Sequence, residues 1–128
     1  MIGKICISIF PYYDSSKKEN LYKKRPILII SEARNNDYTV LPISTISKKE
    51  NIDNEFDIKI AITDYPLLNL DKDCYIRTHK QTIVHKVSIT KEISDLKETY
   101  EDLFCLVFKK LDCFNKMILH HARNFNLE

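Results

Sequence analysis

Three short segments of the chain carry side chains suited to binding an anion. The first is Lys23-Lys24-Arg25-Pro26, which runs directly into the apolar stretch Ile27-Leu28-Ile29-Ile30-Ser31. Clustered cations at the mouth of a buried strand make a site for a phosphate. A guanidinium fork matches phosphate oxygens bidentately, and the stiff ring of Pro26 sets the direction from which Arg25 projects. The second segment is Leu41-Pro42-Ile43-Ser44-Thr45-Ile46-Ser47, where the hydroxyls of Ser44 and Thr45 can hold non-bridging oxygens. The third, Tyr75-Ile76-Arg77-Thr78-His79-Lys80-Gln81, combines an aromatic face with Arg77, Lys80 and a histidine. That mixture suits stacking on unpaired bases and gripping a charged backbone, and His79 is the candidate for a base in this segment. Each segment also has a plainer reading: a solvated basic turn, strand-end turn formers, and a surface histidine beside a strand.

The elements that position these segments follow from hydrophobic periodicity. Ile5, Ile7 and Ile9 alternate on one face of a first strand over residues 2–10. Residues 14–24 are polar and without period, which predicts a mobile surface loop, a partial lid. The continuously apolar run from Pro26 reads as a strand buried on both faces, and Asn35-Asn36-Asp37 turns it into a partner from Tyr38 to Ser44. Phe56, Ile58 and Ile60 alternate with Asp57 and Lys59 in a half-exposed strand, and two shorter strands follow near residues 74–77 and 83–89. His85 falls on the exposed phase of the second of these. From about Ser94 the period changes to nearly 3.6: Leu96, Tyr100, Leu103, Phe104, Val107, Leu111, Phe114 and Ile118 share one face of a long helix. Ser94 or Asp95 can cap it, and His120, His121 and Arg123 lie near its negative end. Cys105 and Cys113, eight apart, read as small apolar fillers within it. Five to seven strands followed by one helix predict a single domain over residues 1–128, mainly β with α: a small, strongly bent antiparallel sheet or barrel with a packed helix.

Composition excludes several classes. At 128 residues and 44% hydrophobic the chain suffices for one core, and its single glycine rules out glycine-rich phosphate loops. A phosphate must therefore be bound by side chains or helix ends. The net charge of +2 is mild but unevenly spread. Residues 1–27 carry a balance of +4 and residues 28–55 a balance of −2, so the basic rim is local. Four cysteines without C-x-x-C spacing, and no signal peptide, read as reduced cytoplasmic thiols with no metal site. No apolar run reaches the roughly 18 residues of a membrane span, and no cofactor is expected.

The order basic-Arg-Pro then apolar strand, apolar-Pro-x-Ser-Thr, then Ile-Arg-Thr-x-Lys-Gln resembles the MazF/PemK family of toxin ribonucleases from bacterial toxin–antitoxin pairs. The resemblance implies a partly open SH3-like barrel of the CcdB/PemK type with a C-terminal helix. It implies metal-independent, sequence-specific cleavage of single-stranded mRNA to a 2′,3′-cyclic phosphate and a 5′-hydroxyl. Arg25 matches the catalytic arginine of the family, and Ser44 and Thr45 its second catalytic position. Lys23, Lys24, Tyr75, Arg77, Thr78, His79, Lys80 and Gln81 are the corresponding candidates for RNA binding, Arg77-Thr78 matching the family's Arg-Thr dipeptide. The implied partners are a second copy of the chain and an antitoxin with an acidic, disordered segment. Cys74 stands three residues before Arg77, where one branch of the family has a catalytic aspartate, so that role is not carried over. Two other readings remain at this stage: a non-catalytic toxin on the same barrel that binds DNA gyrase, as CcdB does, and an RNA-binding module without cleavage activity.

Overall fold

The computed structural model describes residues 1–125. Seven strands, β1 (Lys4–Asp14), β2 (Glu19–Ile29), β3 (Asp37–Ser44), β4 (Asp57–Ile60), β5 (Cys74–Arg77), β6 (Thr82–His85) and β7 (Ile89–Asp95), precede two helices, α1 (Leu96–Thr99) and α2 (Glu101–Phe125). All pairings are antiparallel, in the order β4-β5-β3-β2-β1-β7, with β6 also on β3. Strand β3 serves three neighbours in succession. Residues 37–40 pair with β6, residues 40–42 with β2, and Ile43 and Ser44 with β5. One strand thus belongs to two differently directed parts of the sheet, and the result is the bent, partly open barrel with a C-terminal helix.

Both faces of the central strands are buried. Ile5, Leu28, Leu41 and Ile43 face one core with Ile58, Ile60, Ile76 and the helical Leu96, Leu103, Val107 and Leu111. Their chain neighbours Cys6, Ile27, Ile29 and Val40 face a second, smaller core closed by Val84. Successive strand residues point to opposite faces, so two covered faces demand an unbroken apolar run, as at Ile27–Ile29. The single glycine sits where α1 crosses the sheet. Gly3 has φ +91°, a Cβ there would collide with Lys97 Cβ, and its carbonyl accepts from Leu96 N at 2.8 Å.

Four local expectations are corrected. Residues 14–24 do not form a loop: apart from the turn over 15–18, they complete a hairpin whose register runs unbroken from Ile5↔Leu28 to Asp14↔Glu19. Asp14 Oδ1 accepts from Ser16 N (2.9 Å), Ser16 Oγ (2.6 Å) and Lys17 N (3.2 Å), and Lys18 takes φ 52° to close the turn. No period marks this segment because most of residues 19–25 lie in solvent, and alternation appears only where one face is buried. Residues 89–95 form a strand of their own, β7, which holds the edge against β1. The helix is interrupted at Tyr100 (φ −137°, ψ 75°), whose hydroxyl accepts from Leu67 N at 3.0 Å while its ring meets Tyr65 edge-on. Cys105 and Cys113 are exposed on α2 rather than packed. Asp95 is the N-cap, accepting from Glu98 N at 3.1 Å.

Candidate functional site

The β1–β2 hairpin outruns the sheet. Pairing of β2 with β3 stops at Ile27↔Pro42, and Pro26 and Pro42, standing at the split, have no N–H to donate to a ladder. Beyond it β2 continues with β1 as an arm, while β3 turns to β5. Between arm and sheet opens a cleft of about 630 Å³. One wall carries Lys23, Lys24, Arg25 and Pro26, the other Ile43, Thr45 and Cys74. Its floor is one sheet row, since Pro26 faces Ile7 across β1 and Ile7 faces Lys91 across β7. The remaining side is the segment 69–72. There Asn69 takes a left-handed conformation (φ 56°) and its Nδ2 donates to Ile93 O at 3.0 Å, which ties the segment to β7.

Five cations line this cleft, Lys23, Lys24, Arg25, Lys72 and Lys91, against one carboxylate, Asp71. Among the described residues none of the five is in an ion pair. Lys23 instead lies over the Tyr12 ring, 4.3 Å from its centroid. A concave site with this balance focuses a positive potential on whatever enters. Cys74 is buried in the wall. Burial, reinforced by the Asp73 carboxylate, pushes its thiol up to about 11, so it is a neutral wall group at pH 7 and has no acid–base role there.

The third basic segment lies elsewhere, and its partners explain why. Register places Arg77 opposite Asp57, and the guanidinium donates Nε to Oδ1 at 3.1 Å and Nη2 to Oδ2 at 3.3 Å, with a further bond to Asn51 O at 3.0 Å. Asp57 is fully enclosed and also accepts from Asp53 N at 2.8 Å. Thr78 is buried, donating to Phe56 O at 2.6 Å. His79 packs against Phe56 and edge-on to Phe114 of α2, with its ring nitrogens 3.9 Å from Asp53 and 3.7 Å from Asp57. Burial would raise the Asp53 carboxyl, but the N–H groups of Phe56 and Glu55, with His79 and Arg77 nearby, hold it below the ordinary value. These contacts fasten residues 51–57 and α2 to the end of β5.

The structure therefore joins the first predicted segment to Thr45 in one cleft. It does not bring Ser44, Tyr75, Arg77, Thr78, His79, Lys80 or Gln81 to that cleft's walls. Ser44 is half-buried opposite Tyr75, and alternation turns it away from the face that Ile43 and Thr45 present. Lys80 and Gln81 are exposed beyond the Arg77 corner. Sequence reasoning missed Asn69, Asp71, Lys72 and Lys91. Asn69 through Lys72 carried a signal, a polar turn just before a strand, whereas Lys91 is brought in only by the pairing of β7 with β1.

Comparison with known families gives one finding of consequence. Residues 3–106 match the model of the PemK-like, MazF-like toxin of type II toxin–antitoxin system. That span runs from Gly3 into α2 and contains every residue that lines the cleft. No curated protein matches the chain.

Proposed function

From its membership of the PemK-like, MazF-like family, which makes this chain the toxin of a type II toxin–antitoxin pair with an antitoxin as partner, we propose that the protein is a metal-independent endoribonuclease acting on single-stranded RNA. The observation that supports it most is Arg25, without an ion-pair partner among the described residues, in one cleft with four lysines and Thr45. Cleavage by attack of a 2′-hydroxyl on the adjacent phosphorus builds negative charge on the non-bridging and 5′ oxygens. Donors already aimed at that position, with no carboxylate to release first, lower the barrier. Arg25 offers two parallel N–H groups to the phosphorane, Thr45 adds a hydroxyl, and Lys23, Lys24, Lys72 and Lys91 hold flanking phosphates. The P–O bond to the 5′ oxygen breaks and that oxygen takes up a proton from solvent, leaving a 2′,3′-cyclic phosphate and a 5′-hydroxyl.

The base that takes the 2′-hydroxyl proton is assigned to Asp71, the one carboxylate among the lining residues, in preference to His79, which packs against α2. Asp71→Asn is expected to lower the single-turnover rate by about 10² or more, and His79→Gln to leave it nearly unchanged. Tyr75, Lys80 and Gln81 remain as contacts to a longer RNA tract, with Arg77 and Thr78 supporting them from behind, and Ser44 acts through the position of Thr45. The reading includes a symmetric homodimer, as the family resemblance implies; a monomer by light scattering at micromolar concentration would remove that part.

The decisive experiment incubates the protein with a long RNA in EDTA, beside Arg25→Ala, and maps new 5′ ends. Recurrent cuts at one short sequence, absent with the variant, support the nuclease. Intact RNA from the unaltered protein would overturn it in favour of a toxin that acts by binding.

A further inference from the structure

A second hollow, of about 290 Å³, lies against the cleft and shares Lys23, Arg25, Pro26 and Ile43 with it. Its other walls are of a different kind: Phe10, Pro11, Tyr12 and Pro42. Phe10 and Tyr12, two apart on β1, present their rings to one face of the arm. Tyr12 is half-buried there, in contrast to Tyr13 and Tyr22 of the same arm, which are 62% and 72% exposed. Three proline rings surround the aromatic pair and bring no N–H groups. The only polar side chains in the lining are Lys23, Arg25 and the Tyr12 hydroxyl. The Lys23 ammonium over the Tyr12 ring steadies that ring and puts a charge at the lip of the hollow.

We propose that this hollow is a nucleobase subsite, in which the base next to the phosphate on Arg25 stacks against Phe10 and Tyr12. The inference rests on the nuclease reading above and adds to it the position at which a base is held. A nucleotide strand alternates anionic and flat apolar parts, and the arm alternates likewise, with a cationic cleft on one side of Arg25 and an aromatic hollow on the other. The adjoining cations favour a nucleotide over an apolar peptide side chain. The lining has no amide or carboxylate side chain to read a base edge, so the subsite selects by stacking and fit and accepts more than one base.

The test uses a short RNA containing a mapped cut site, and copies with an abasic residue at each position flanking the cut. The full-length protein should lose about tenfold in kcat/KM on one of the abasic copies, the loss of one stacked base. Tyr12→Leu and Phe10→Leu, checked for an unchanged thermal melt, should lose a similar factor on intact RNA and little more on that abasic copy. No sensitive position with the unaltered protein, or variant and abasic losses that multiply, overturns the subsite while leaving the nuclease standing. Undiminished cleavage by both variants does the same and reassigns the hollow to an apolar peptide side chain. No cleavage by the unaltered protein overturns both readings together. The abasic series needs no variant, so a substitution that failed to fold would not decide the outcome.

Discussion

Arg25 and Arg77 both sit on strands of one small barrel, and each stands beside a threonine-bearing segment, yet they are held in opposite ways. Arg77 is four-fifths buried, forked onto a fully enclosed carboxylate and bonded to a backbone carbonyl. Arg25 is exposed on an arm, shares a cleft with four lysines, and has no ion-pair partner among the described residues. A guanidinium whose Nε and Nη2 donors are already engaged by the fold, as in Arg77, holds an element in place; one not so engaged in a concave site is available to a ligand. The contrast teaches that the type of residue is a weaker guide to chemistry than what remains of its hydrogen-bonding capacity after folding.

The contrast can be broken most directly by truncating each arginine. Arg25→Ala should lower single-turnover cleavage by about 10² or more, the scale of removing one preorganised donor, and leave the urea midpoint nearly unchanged. Arg77→Ala should do the reverse. It strands Asp57 as an uncompensated buried charge and should cost about 3 kcal/mol in urea unfolding, while cleavage per folded molecule survives. Equal losses of activity with equal stability would erase the distinction.

A smaller effect sharpens it. If the cleft cations meet phosphates, Lys91→Ala and Lys72→Ala should each lower the slope of log affinity against log salt by about 0.7 for a single-stranded RNA. Lys80→Ala, outside the cleft, should change it less.

The smallest effect concerns the neutral wall. The Cys74 thiol rises from 9.0 unfolded to about 11 folded, so its contribution to stability is complete below pH 9 and lost as pH rises through 11. Cys74→Val should flatten the alkaline fall of the urea midpoint across that window. With iodoacetamide at neutral pH, the exposed Cys105 and Cys113 should be alkylated before Cys74 or Cys6.

Much of the barrel was legible in the chain because burial leaves a pattern. Ile27–Ile29 announced a strand covered on both faces, Asp57–Ile60 a half-covered one, and Leu103, Val107 and Leu111 a helix with one packed stripe. The arm was illegible because its residues 19–25 pack against little, and β7 because Thr90, Lys91 and Glu92 are exposed in succession along an edge and leave no alternation. The site was legible in part: Lys23 to Pro26 stood out by charge beside a strand, and Thr45 by its place after an apolar run.

By itself, then, the sequence determined the family, the antiparallel barrel with its closing helix, and the basic run at the strand mouth, since these depend on residue type and local period. Only the tertiary structure decided which basic run is open. That outcome rests on register: Asp57 meets Arg77 across a β4–β5 pairing of residues 20 apart, and Lys91 reaches Pro26 through Ile7 by way of two pairings. A shift of one residue in any of these ladders would send the side chain to the opposite face.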